Sequence, residues 1–153
     1  MFMTSNGRTE SAYMYKQKER EEGQKTMAMD EKFRRQLEES GADVEATLKR
    51  FMGKDSIYLK FLGKFPNDPN YANLGTNMES GNFEEAYKCA HALKGVVGNL
   101  GLTPIFETVS TLVEELRNKA NADVDAARAN EEWQAVRKVY EQFIGIINEN
   151  IPQ

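Results

Sequence analysis

The chain has 153 residues, of which 29% are charged and 40% hydrophobic, and its formal net charge at pH 7 is -4. That length suits one domain with a single core. The mildly acidic balance excludes the clustered Lys and Arg of a nucleic-acid-binding face. One cysteine (Cys89) and one histidine (His91) rule out an intramolecular disulfide, a CxxC centre and a His-rich zinc site. No apolar run approaches the ~18 residues of a membrane span, and the polar start lacks a signal-peptide core. The expectation is a cytoplasmic chain with no metal, no nucleic-acid partner and no membrane partner.

Residues 1–28 read as a polar extension, helical or disordered, with a charge-dense run from Lys16 to Glu22. Met27 and Met29 offer alternative translational starts beyond it. Residues 29–153 read as one helical domain. Asp30 or one of its neighbours is predicted to cap a short helix carrying Phe33 and Leu37, closed by Ser40-Gly41. Asp43 caps a second, with Val44, Leu48, Phe51 and Met52 on its apolar side and Gly53 as its stop. Asp55 is predicted to cap a third, whose apolar face is Ile57, Tyr58, Phe61, Leu62 and Phe65. Pro66-Asn-Asp-Pro69 interrupts the chain, and Asp68-Pro69 restarts a helix through Tyr71, Leu74 and Met78.

Ser80-Gly81-Asn82 ends that helix and starts the next, with Asn82 and Glu85 spaced as a capping box. Phe83, Ala86, Ala90, Leu93 and Val97 then recur at the three-to-four spacing of a buried stripe. At about 100° per residue, His91 projects roughly 120° away from that stripe. Glu84, Tyr87, Lys88, Lys94, Gly95 and Gly98 share its outward face. Each glycine inside a helix costs about 1 kcal/mol relative to alanine. Either the helix ends near Gly95, or it continues to about Gly98 and a second macromolecule comes close to its backbone. Asn99-Leu100-Gly101 is a turn, and Thr103-Pro104 opens a helix with Ile105, Val109, Leu112 and Leu116 inward. Asp123 or Asp125 begins the last helix, with Trp133, Val136, Tyr140, Phe143 or Ile144, and Ile147 inward. Glu114-Glu115 and Glu131-Glu132 read as solvated faces, and Cys89 as packing. No alternating run marks a strand. Long helices joined by short connections predict an all-α antiparallel up-and-down four-helix bundle with additional short N-terminal helices.

His91-x-Leu93-Lys94-Gly95, followed by small residues and Asn99-x-Gly101, resembles the histidine-containing phosphotransfer (HPt) family. The likeness extends from about Glu31 to Lys119 and takes in Gly41–Glu45 through Phe51, Tyr58–Phe65 and Glu79–Ala86. Family members often run one long helix where this chain has its two prolines. The resemblance implies a stand-alone phosphocarrier in a His-Asp phosphorelay. His91 would accept a phosphoryl group on Nε2 from the aspartyl phosphate of a receiver domain and pass it on. A free imidazole titrates at about 6.5, so one ring nitrogen is available as a nucleophile at neutral pH. Lys94 would stabilise the phosphoryl oxygens, and Lys88 would add positive potential. Gly95 and Gly98 would admit the partner, with Tyr87 as a contact residue.

The implied partners are response-regulator receiver domains and a sensor histidine kinase. Mg²⁺ belongs to the receiver, and no cofactor is expected on this chain. The chain would take part in phosphoryl transfer without its own kinase domain, and it has no GxxxxGK[ST] phosphate loop. Some family members hold the histidine's second nitrogen with a polar side chain on the next helix. The matching position here is Val113, with Glu114 beside it. The competing expectation is a non-phosphorylated helical-bundle adaptor that binds receivers or other signalling proteins.

Overall fold

The computed structural model describes residues 28–152, so the predicted 1–28 extension, apart from Ala28, lies outside the described residues. Its elements are α1 (Glu31–Glu39), α2 (Val44–Arg50), α3 (Asp55–Lys64), a 3₁₀ turn Phe65–Asn67, and α4 (Pro69–Ser80). There follow α5 (Phe83–Asn99), α6 (Thr103–Leu116), a 3₁₀ turn Asn121–Asp123, and α7 (Ala126–Asn150). The chain is all-α: no strand occurs among the described residues.

Side-chain caps start most of these helices where the sequence places them. Asp30 accepts from the Lys32 N–H at 3.0 Å, Asp43 from Ala46 at 3.1 Å, and Asp68 from Asn70 at 2.9 Å. Asp125, rather than Asp123, caps α7, accepting from the Arg128 N–H at 3.2 Å. Such a cap contributes about 1 kcal/mol. Asn82 caps α5 through the Glu85 N–H at 3.5 Å, but the capping box does not close. The Asn82 N–H donates instead to the Asn77 carbonyl at 2.9 Å, and Glu85 turns to Lys88.

Two expectations about α2 and α3 are corrected. Asp55 is not a cap. The Ile57 and Tyr58 N–H groups donate to the Lys54 carbonyl, which makes Lys54 the N-cap and Asp55 the first helical residue. The Asp55 carboxylate accepts from the Met29 N–H at 3.1 Å instead. Met52 is not on an apolar stripe. The Gly53 N–H bonds to the Leu48 carbonyl at 2.7 Å, closing α2. That closure leaves Met52 in the left-handed region (φ 57) and 82% exposed.

α5 packs against α4 and α6, and α6 packs against α7. α4 meets α7 where the Tyr71 ring stacks on Tyr140 at 3.6 Å and tilts against Trp133 at 5.3 Å. Leu74, Leu93, Leu112 and Phe143 are fully buried between these helices. Of the alternatives for α7, Phe143 faces the core and Ile144 is half-buried. The acidic pairs are only partly solvated. Glu114 and Glu131 are exposed, whereas the Glu115 and Glu132 side chains are 12% and 14% exposed. Arg128 reaches both, at 3.6 and 3.5 Å, and so holds them in toward the α6–α7 seam. Burial and the neighbouring Glu115 push the Glu132 carboxyl above its ordinary range.

The short N-terminal helices secure the end of α5. Arg50 Nη2 donates to the Gly98 and Asn99 carbonyls at 3.0 and 3.2 Å, and to Thr47 Oγ1 at 3.0 Å. The buried Tyr58 hydroxyl donates to the Leu100 carbonyl at 2.9 Å, and the Asp43 N–H to the Gly101 carbonyl at 2.8 Å. Burial pushes the Tyr58 hydroxyl pKa well up, so it remains a protonated donor. Tyr58→Phe leaves the buried Leu100 carbonyl without that donor and should cost about 1–3 kcal/mol in urea denaturation. Gly101→Ala should also destabilise. Gly101 has φ +68, and a Cβ there would collide with the Thr47 hydroxyl and lie 2.7 Å from the Asp43 carbonyl. An unchanged midpoint for either variant would contradict this description of the α5 terminus.

Candidate functional site

α5 runs unbroken through Gly95 and Gly98 to Asn99, so the helix does not end near Gly95. Phe83, Ala86, Ala90, Leu93 and Val97 are buried along one side, and His91 is exposed on the other. Among the described residues His91 makes no hydrogen bond or ion pair. Its one ring neighbour is Tyr87, one turn earlier, with centroids 5.9 Å apart and planes inclined by 46°.

Tyr87 is half-buried and held by α6 rather than standing free. Its hydroxyl accepts from Arg117 Nη1 at 2.9 Å, and the guanidinium lies 5.5 Å from the ring centroid. Arg117 is in turn paired with Glu114 at 3.1 Å, the main cause of its raised pKa. Lys94 is half-buried, with Nζ 5.6 Å from the Phe106 ring centroid, and no carboxylate among the described residues pairs with it. Lys88, by contrast, bonds to Glu85 at 2.9 Å, which raises its pKa and offsets its charge locally.

The two glycines differ. A Cβ on Gly95 would meet nothing within 4 Å, so the backbone there is open on the His91 side. A Cβ on Gly98 would lie 3.3 Å from the Phe106 ring, so this glycine already has a neighbour within the chain. Val113 is fully buried and Glu114 is engaged with Arg117. Neither bonds His91, whose one ring neighbour among the described residues is Tyr87.

The arrangement offers an accessible nitrogen nucleophile with an unpaired ammonium one turn on, over a section of bare helix. Cys89 is half-buried against Asn77, whose Nδ2 lies 3.9 Å from the sulfur, and burial pushes its thiol pKa up. Among the described residues no cluster of His, Cys, Asp or Glu could hold a metal, and no helix is long and apolar enough to cross a membrane. Sequence reasoning missed Arg50, Phe106 and Arg117. A signal for Arg50 existed, since the last turn of α5 carries no basic residue to complement its negative end.

Gly95→Ala should raise stability by up to about 1 kcal/mol, because the position is helical and open. Gly98→Ala should gain less or lose, because Phe106 must give way. Urea denaturation of the two variants side by side measures this, and equal gains would show that Phe106 does not restrict Gly98. No family model, no curated protein and no solved structure matches the chain.

Proposed function

We propose that this chain is a phosphocarrier of the HPt kind, an antiparallel up-and-down four-helix bundle of α4–α7 preceded by short helices. Support for the bundle comes from the two- and three-residue connections on either side of α5 and from the α4–α7 ring contacts. The observation that carries the function is the state of His91. It is exposed at mid-helix, neither it nor Lys94 has a hydrogen-bond or ion-pair partner among the described residues, and Gly95 is open.

In this reading Nε2 attacks the phosphorus of an aspartyl phosphate on a receiver domain. The P–N bond forms as the P–O bond to the carboxyl group breaks, and the aspartate leaves as a carboxylate. The ring keeps its Nδ1 proton and carries the positive charge until the phosphoryl moves to a second receiver. The transition state spreads charge over the equatorial oxygens, where the Lys94 ammonium acts on this side and the receiver's Mg²⁺ on the other. A sensor kinase charges the first receiver. One observation favours the second reading, an adaptor that binds without phosphorylation: among the described residues no hydrogen bond orients the imidazole.

Incubation with a panel of radiolabelled phosphorylated receivers tests both readings. Acid-labile, alkali-stable label is expected on the wild type and none on His91→Gln. Binding without label would establish the adaptor. Lys94→Ala should slow transfer by about one to two orders of magnitude, the loss of one charge-stabilising contact. Gly95→Gln should block transfer from every receiver while leaving the circular dichroism spectrum unchanged. Undiminished transfer in Gly95→Gln would remove the bare helix from the mechanism.

A further inference from the structure

A cleft of about 560 Å³ lies between α3 and the last turn of α5. That volume falls in the range of small-molecule sites, which combine apolar walls with a few placed polar groups. One wall is a ladder of rings. Phe51 stacks on Tyr58 at 5.8 Å and on Phe61 at 5.7 Å, with interplanar angles of 24° and 19°. The ladder ends in Phe61, which is 44% exposed although the sequence placed it on the apolar face of α3. Val96 contributes apolar surface from α5.

The polar groups have a definite sign. Arg50 lines the cleft with its guanidinium held in place, yet all three of its hydrogen bonds use Nη2. Its Nε and Nη1 donors have no partner among the described residues and point along different edges of the guanidinium, so each remains available as a single fixed, charged donor. A charged N–H of this kind makes a charge-assisted hydrogen bond to one carboxylate oxygen. Lys64 lines the same cleft and has no carboxylate partner among the described residues. The one acidic residue of the lining, Asp68, is engaged at the N-cap of α4.

We infer that this cleft binds a small aromatic carboxylate, with its ring against Phe61 and its carboxylate on Arg50 and Lys64. The ring continues the Tyr58–Phe51–Phe61 stack, and the anion takes the donors that the α5 carbonyls leave unused. The inference does not depend on phosphorylation of His91.

Titration of the ¹⁵N-labelled full-length chain with 3-phenylpropanoate, followed by amide NMR, tests it. Saturable shifts are expected at Phe61, Val96 and Asn99, and they should weaken as salt is raised. The neutral 3-phenylpropanamide should bind at least about tenfold more weakly, the loss of a charged contact. Phe61→Ala and Lys64→Gln, both at exposed positions, should each weaken binding while the remaining resonances stay in place. His91→Gln should leave binding unchanged, so failure of the phosphocarrier reading would not be confused with failure of this one. Unsaturable shifts, equal affinity for acid and amide, or undiminished binding in Phe61→Ala would overturn the inference. Cleft resonances that move with protein concentration alone would make a second copy the occupant, and would overturn it as well.

Discussion

Four consecutive carbonyls, Gly98 to Gly101, end the α5 helix, and each receives a donor from α2, α3 or the turn before α2. Much of what is distinctive about the molecule depends on that closure. A helix with two glycines in its last turns gives up about 2 kcal/mol of propensity and would fray from its end. Arg50, Tyr58 and the Asp43 N–H hold the end shut from outside. The guanidinium also places positive charge at the negative pole of the helix. The backbone is therefore fixed beneath a section that carries almost no side-chain cover, and His91 stands at the edge of it.

The same closure gives the N-terminal helices a purpose. α2 ends at Arg50, and Thr47 in its middle is fully buried. Its hydroxyl donates to the Asp43 carbonyl at 2.6 Å and accepts from Arg50, which ties the start of α2 to the cation at its end. These helices clamp the end of α5 as well as covering the core. On the other flank, α6 does the corresponding work through Phe106 beneath Lys94 and Arg117 on Tyr87. The site is thus assembled from α2, α3 and α6 around a helix that contributes only the histidine, the lysine and the absence of bulk.

Much of this was legible in the sequence. The caps Asp30, Asp43, Asp68 and Asn82 and the buried stripe of α5 follow from local periodicity and cap chemistry, and they stand where predicted. His91, Lys94 and Gly95 could be placed on one face because a helix fixes the angles between its own residues. The missed clamp of the α5 end involves partners distant in sequence. Arg50 reaches Gly98 across 48 residues, and Tyr58 reaches Leu100 across 42, which no periodicity reveals. Met52 and Asp55 were misplaced because closing α2 with Met52 in a left-handed conformation shifts the start of α3 by one residue. Glu115 and Glu132 look solvated until Arg128 is seen to draw both into one seam.

The electrostatics around His91 are spare. Lys88 is paired with Glu85 and Arg117 with Glu114, whereas Lys94 has no carboxylate partner among the described residues. The most direct test of the account is the ¹⁵N spectrum of the His91 ring after exposure to a phosphorylated receiver. The account predicts ³¹P coupling at Nε2 with the proton retained on Nδ1. Coupling at Nδ1, or unmodified ring nitrogens after exposure to a receiver that binds the chain, would contradict it.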